Sequence, residues 1–460
     1  MLGTIVKREL QDHIMSVRFF IILVIVIGLM SSSGLLFIKK YMILQDENSE
    51  GFYNNRELLA TQSEKLSQLI YHNQTLMTYP NPLRFIADGG ESELPNSVQL
   101  SIINVGRVEN IVSGNLFMSQ QGDVDIAFII KVIMSFVALS VTFNAICGEK
   151  ERGTLRLCLA NVVPRDKLLL GKYLSSMIIL TIPFAIGLLI NVVIINVSPA
   201  ITLSPSQWLQ VAAIGVVSLL YVSIFVLLGM VVSARASSTP MSLVLLLLIW
   251  VVWVIVIPNN WAGILTGKLT SVPTPAEIEA EAGRASRAFW DSSPREYGTN
   301  YTVGDPRNVP HVRVQMAANN AEENVYEHYR NEKVGVVEYI RVLTRISPAA
   351  VYQCAAESIA GTGLAHVKHF LKEVEAYKHN LEQFFQEQDA KDPDSQHLYY
   401  HVDYVSQKPF QAEDVPRFHE SPMQLSEGLR LSLYDLLLLV LFNVILFLTA
   451  HVSFMRYDVR

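Results

Sequence analysis

The chain has 460 residues, 50% of them hydrophobic and only 17% charged, with a mean hydropathy of +0.30. Soluble domains carry about 25% charged residues, so this balance points to a membrane protein with sizeable polar parts. A formal net charge of −6 argues against nucleic acid as a partner, because phosphate binding needs a basic surface.

The first eighteen residues, 1–18, place Leu2, Ile5, Val6, Leu10, Ile14 and Val17 on one helical face. Lys7, Arg8, Gln11, Asp12 and Arg18 fall on the other. Such a helix is expected to lie in a headgroup layer, apolar side down and basic side toward anionic lipid. The apolar run 19–38 follows directly. It is long enough to span a bilayer and lacks a small-residue cleavage pattern, so it reads as a retained anchor.

Five further runs reach spanning length: 124–147, 173–197, 208–232, 241–257 and 433–454. Each must be helical, since lipid offers no partner to open backbone groups. Lysine and arginine in the short flanks gather on one side if both termini are cytoplasmic, and the loop SPAITLSPSQ on the other side is uncharged. The expected fold is an all-α polytopic membrane protein with six transmembrane helices. On that topology 41–123 and 258–432 form two extracytoplasmic insertions, the larger mainly helical. Within the larger one, Thr274 caps a helix beginning at Pro275. Val367, Leu371, Val374, Leu381 and Phe385 mark a coiled-coil-like helix that Lys378 interrupts. Pro294, Asp305, Pro306 and Pro310 mark a loop-rich stretch, and HLYYHVDYVSQKPF reads as extended.

Enzymatic signatures are thin. Cys147, Cys158 and Cys354 have no metal-knuckle spacing and read as packing residues. His366 with His369, and His397 with His401, have helical ligand spacing, but no H-E-x-x-H occurs and nothing joins the pairs. Exposed histidines are therefore the expectation, with no metal site. GILTGK and LLLGKY lack the G-x-x-x-x-G-K-[ST] spacing of a phosphate loop, so the chain has no nucleotide site of its own. Asp125, Lys131 and Asp435 lie toward the outer ends of their spans; Lys131, about two turns in, can reach the outer headgroups, and snorkelling is the expectation over a substrate contact. Asn144, Asn191 and Asn443 are expected to hydrogen-bond between helices. Without a proton relay or inverted repeat, ion coupling is not expected.

The segment 148–172, GEKERGTLRLCLANVVPRDKLLLGK, packs nine charged side chains between two spans. It reads as a helix through EKERGTLRLCLANV, a break at Pro164, and a second helix entering the third span. Composition alone allows a solvated loop whose charges only fix topology; a rigid helix there would serve as a docking handle for a soluble motor.

This segment closely resembles the coupling region of ABC-2-type transporter permeases, with the approximate pattern E-x-E-x-G-T-L, then P-x-x-R, then G-K. Glu149, Glu151, Gly153, Thr154, Leu155, Arg165, Gly171 and Lys172 match it. Asn161-Val162-Val163-Pro164 departs from the commoner short P-V, and Asn144 stands where an acidic residue is frequent. TIVKREL, with Lys7, Arg8 and Glu9, resembles the family's N-terminal connecting helix. ISPAAVYQCAAESIAGTG and the terminal FMRYDVR resemble a subgroup with a large domain inserted before the last helix.

The resemblance implies a six-helix half-transporter of the bacterial inner membrane, working as an exporter. It would associate with a second copy or a sister permease and with a cytoplasmic ABC ATPase subunit. ATP and Mg would be bound in that partner, with no cofactor in this chain. Glu149, Glu151, Arg152, Gly153, Thr154, Leu155 and Arg165 would form the ATPase-coupling region. A rival reading is an ATPase-coupled assembly or mechanotransmission protein acting through its extracytoplasmic domains without transport. A membrane-bound enzyme or metal-delivery protein using the histidines is a third.

Overall fold

The computed structural model describes residues 2–62, 65–70, 72–90, 97–102, 105–107, 124–155, 164–261, 273–292, 305–399 and 402–456. Arg156, Cys158, Pro294, His401, the GILTGK motif and most of the terminal FMRYDVR lie outside them. Six helices are long and apolar enough to cross a membrane, and the molecule is an all-α polytopic membrane protein.

Helix α1, Leu2–Ile14, is followed by a break at Met15 and Ser16 and by α2, Val17–Gln62. The remaining spanning helices are α3, Ile126–Glu151; α4, Arg165–Val197; α5, Pro205–Arg235; α6, Thr239–Pro258; and, from the end of the chain, Leu425–Met455. Ser204 opens α5 by accepting from Gln207 N while its own N–H reaches Gln207 Oε1, a reciprocal cap that fixes where the helix starts. The bundle closes where small residues let backbones approach. Gly187 of α4 faces Met30 of α2, and Gly34 of α2 faces Asn191, whose amide donates to Met30 O. Helix α5 runs through the centre, with Tyr221, Ile224, Phe225 and Val226 fully enclosed. Asn443 Nδ2 donates to Leu220 O at 3.0 Å, so Asn191 and Asn443 join helices as expected. Asn144 does not, having no hydrogen-bond partner for its side chain among the described residues.

The first span does not stop at Ile38. Helix α2 continues past Lys39 and Lys40 to Gln62, because nothing in that stretch breaks a helix. Three short strands follow, β1 (Gln74–Met77), β2 (Ser97–Leu100) and β3 (Val105–Arg107), paired antiparallel in that order.

Between α6 and the last span lie α7, Pro275–Ser292; α8, Asn308–Thr344; α9, Pro348–Ala360; and α10, Gly363–Asp389. The last span, Leu425–Met455, is α11. Thr274 and Glu277 form the α7 cap. The loop-rich reading is corrected at Pro310, which sits in the first turn of α8, where its missing N–H costs nothing. The stripe on α10 is real but divided, Val367 and Leu371 clustering with Val334 and Val337 of α8. Phe370, Val374, Tyr377, Leu381 and Phe385 pack on Leu76, Val98 and Leu100 of the sheet. Tyr377 Oη donates to Gln74 Oε1 at 2.8 Å, so the two insertions make one unit. Among the described residues of HLYYHVDYVSQKPF, Val402–Tyr404 form a 3-10 turn and Pro409 makes an isolated antiparallel bridge to Lys65, so the stretch is not a continuous extended strand; Tyr400 and His401 lie outside the described residues.

Helix α9 is the unexpected element. Twelve of its thirteen residues are buried, and it inserts among α3, α5 and α11. Tyr352 stacks on Tyr221 and its hydroxyl meets Ser218 Oγ at 2.9 Å, more than three turns inside α5. Chain entering and leaving this depth needs protein partners for its polar groups. Ser347 supplies the N-cap of α9 and also reaches Trp253 O.

Candidate functional site: a lysine clasp at the end of the bundle that carries the termini

The end of α3 and the segment after it are not one helix. Residues Cys147–Glu151 are helical, Arg152 caps them, and Gly153 adopts φ +73°, a left-handed conformation that favours glycine and ends a helix. Thr154 and Leu155 resume helical geometry, Leu155 being fully buried. The expected helix through EKERGTLRLCLANV is therefore broken at Gly153, and its continuation lies outside the described residues.

The charges that the sequence offers to a partner are largely tied within the chain. Glu149 Oε1 lies 2.6 Å from Lys172 Nζ, and the same ammonium lies 2.8 Å from Glu9 Oε1. The Lys172 side chain is only 4% exposed, so each ion pair is desolvated and depends on its hydrogen bonds. One lysine on α4 thus clasps α1 to the end of α3. Gly171 makes the approach possible, since a Cβ there would fall 2.6 Å from Ile5 Cγ2. The apolar face of α1 is accordingly turned partly onto α4, which corrects the picture of a helix resting wholly on lipid. Lys7 and Arg8 stay exposed. His13, next to this cluster, is held below its ordinary pKa mainly by burial.

A second set of contacts ties the segment to the α5–α6 turn. Glu151 accepts from Thr239 N at 2.8 Å and Thr239 Oγ1 at 2.5 Å, satisfying donors at the start of α6. Lys150 Nζ donates to Ala234 O. Ser233 Oγ accepts from Ile146 N and Cys147 N, each at 3.0 Å. Arg165 Nη1 donates to Met455 O at 2.8 Å, fastening α4 to the end of α11. Arg152 Nε folds back on Gly148 O at 3.1 Å, and Thr154 Oγ1 reaches Glu149 O at 3.4 Å. Of the residues expected to form the coupling region, Glu149 to Leu155 are consecutive in the chain and Arg165 contacts Met455 O instead; Lys172, which was not counted among them, joins Glu149 to Glu9 of α1.

A second polar cluster lies toward the other end of the same helix. Lys131, in a π-helical turn of α3, has a partner within the protein: its Nζ donates to Gln353 Oε1 at 2.5 Å. Gln353 Nε2 donates to Glu357 Oε1 at 2.9 Å, and Glu357 Oε2 pairs with Arg341. Asp435 is likewise paired, with Arg345 Nε at 2.6 Å. Asp125 caps α3, accepting from Phe128 N at 2.6 Å and Asp88 N at 2.8 Å. For Lys131 and Asp435 the cause is shared: the chain from the end of α8 into α9 supplies Gln353 and Arg345 as polar partners where sequence alone expects lipid.

The histidines are scattered. His366 Nε2 meets Glu420 Oε1 at 2.8 Å, His369 Nε2 contacts Ser421 O at 2.8 Å, and His397 Nδ1 meets Asp389 Oδ2 at 2.6 Å. Among the described residues no three His, Cys, Asp or Glu side chains gather as metal ligands. Cys147 and Cys354 are buried, as packing residues would be.

A family model described as ABC-2 family transporter protein matches residues 3–459, nearly the whole chain, and the chain belongs to that family. No curated protein matches it.

Proposed function

We propose that this ABC-2 family membrane protein is the permease subunit of an ATP-driven exporter. Both termini and the segment 148–172 lie in the cytoplasm, at the inner membrane, and a separate ABC ATPase subunit binds ATP and Mg and pushes on that segment. A second copy or a sister permease completes the transporter. The observation that carries the reading is the buried Lys172 clasp. Force applied near Glu149 reaches α3, α4 and α1 together, because one ammonium group holds the last two to the end of the first. Bundles driven this way rock as bodies instead of bending locally. The test is ATPase stimulation in a reconstituted complex. Glu149→Lys with Glu151→Lys leaves the protein inserted and abolishes stimulation; unchanged stimulation counts against the reading.

A second reading, in which the ATPase drives the extracytoplasmic insertions without transport, has one specific observation behind it. Helix α3 carries the coupling segment at one end and Lys131 near the other, and Lys131 is bonded to α9. Movement of α3 is thereby passed to the inserted helices. Vesicle transport assays with the insertions shortened separate the two readings.

A further inference from the structure

Between α1, the start of α2, the Glu149 end of α3 and α4 lies a cavity of about 500 Å³. Its floor is apolar, built by Phe19, Ile22 and Ile179, and its rim carries charges of both signs. Three features of the rim call for a ligand. Glu149 spends Oε1 on Lys172, while Oε2 is buried with no hydrogen-bond partner among the described residues. A buried carboxylate oxygen in that state carries an uncompensated desolvation cost, which a donor would remove. Across the rim, Arg18 lies 5.7 Å from the centroid of the Phe143 ring and forms no ion pair among the described residues. Asn144, beside them on the cavity wall, also has its amide unused.

We propose that this cavity binds the headgroup of a phospholipid carrying a primary ammonium and a phosphodiester. The ammonium donates to Glu149 Oε2 and the Asn144 carbonyl, and the phosphodiester meets the guanidinium of Arg18, with Arg152 nearby on the same rim. The acyl chains leave over Phe19 toward the apolar face of α2, where Phe20, Ile21 and Val24 are more than half exposed. The occupant follows from the charges. A trimethylated ammonium has no N–H to give Glu149, and an uncharged glycerol headgroup brings no cation to it. The pocket touches the lysine clasp, so its occupancy bears on how firmly α1 is held. The site does not depend on the proposed ATPase coupling, and lipid retention is measured without an ATPase.

The full chain is placed in nanodiscs of phosphatidylethanolamine, phosphatidylcholine and phosphatidylglycerol in equal amounts, and retained lipid is read by native mass spectrometry. The expected result is retention of phosphatidylethanolamine at least about tenfold above the other two, the difference one charge-assisted hydrogen bond makes. Glu149→Gln would also disturb the Lys172 pair, so the variants are Arg18→Gln and Val141→Trp, which leave it in place. Both are expected to abolish the preference, the first by removing the phosphate contact and the second by filling the cavity. Equal retention of the three lipids, or a preference that survives both variants, overturns the assignment. Soluble phosphoethanolamine identifies the source: failure to displace the lipid at millimolar concentration supports a membrane occupant, and binding as tight as the lipid's overturns it.

Discussion

Lys172 and Glu149 form an ion pair, Nζ to Oε1 at 2.6 Å, with the lysine side chain 4% exposed. The same Nζ is held by Glu9 at 2.8 Å. Three segments far apart in sequence therefore share one buried charge, and none of the three can move away without leaving that charge short of a partner.

Replacing the lysine leaves two carboxylates facing each other without a cation. Lys172→Met is expected to destabilise the purified chain by about 3 kcal/mol, as when one partner of a buried pair is removed. Glu9→Gln keeps the Glu149 pair and is expected to cost about a third as much or less. Thermal unfolding in detergent measures both; equal losses would show that the lysine does not serve both acids.

The contact of α1 with α4 rests on the absence of a side chain at Gly171. Gly171→Ala is expected to cost about 1–3 kcal/mol through overpacking against Ile5. Ile5→Ala should recover part of that loss in the double variant. A double-mutant cycle tests it, and strict additivity would place α1 elsewhere.

His13 supplies the pH dependence. Its folded-state pKa lies below the ordinary value of 6.5, mainly because it is buried. Lys172 and Arg18 push it the same way against Glu9 and Asp12. The unfolded chain then binds more protons than the folded one just below pH 6.5. The contribution is fully present above that pH and is lost as pH falls through the folded-state value. Melting temperatures between pH 8 and 5 should fall toward acid, and His13→Gln should flatten part of that slope. An unchanged slope removes His13 from the explanation.

At the opposite end, Asp435 is 2% exposed and its partner Arg345 is 25% exposed. Asp435→Ala leaves a guanidinium next to apolar helices and is expected to cost about 3 kcal/mol. Arg345→Met in the same chain should restore most of it. Failure of the second change to restore stability would mean that the pair is not the reason Asp435 is tolerated there.

The spanning helices were legible because twenty apolar residues in a row have no other stable form in lipid. The helix at Pro275 was legible from its cap, and the α10 stripe from its period. What covered the stripe was not, since a sheet and a second helix ask for the same apolar face. The partners of Lys131 and Asp435 were hidden for a related reason. Those partners, Gln353 and Arg345, lie in a segment whose length and polarity gave no sign that it enters the bundle. The break at Gly153 was missed because leucine spacing outweighed a glycine that turns the chain. The Glu9–Lys172–Glu149 contact had a trace in sequence, three charges near span ends, but periodicity cannot pair residues across different helices.

The most direct measurement is ATP hydrolysis by the proposed partner ATPase reconstituted with this chain, comparing the native protein, Lys172→Met, and the exchange Glu149→Lys with Lys172→Glu. The clasp reading expects stimulation to fall at least about tenfold in Lys172→Met while the complex stays assembled, and to return substantially in the exchanged pair. Full stimulation in Lys172→Met would contradict it.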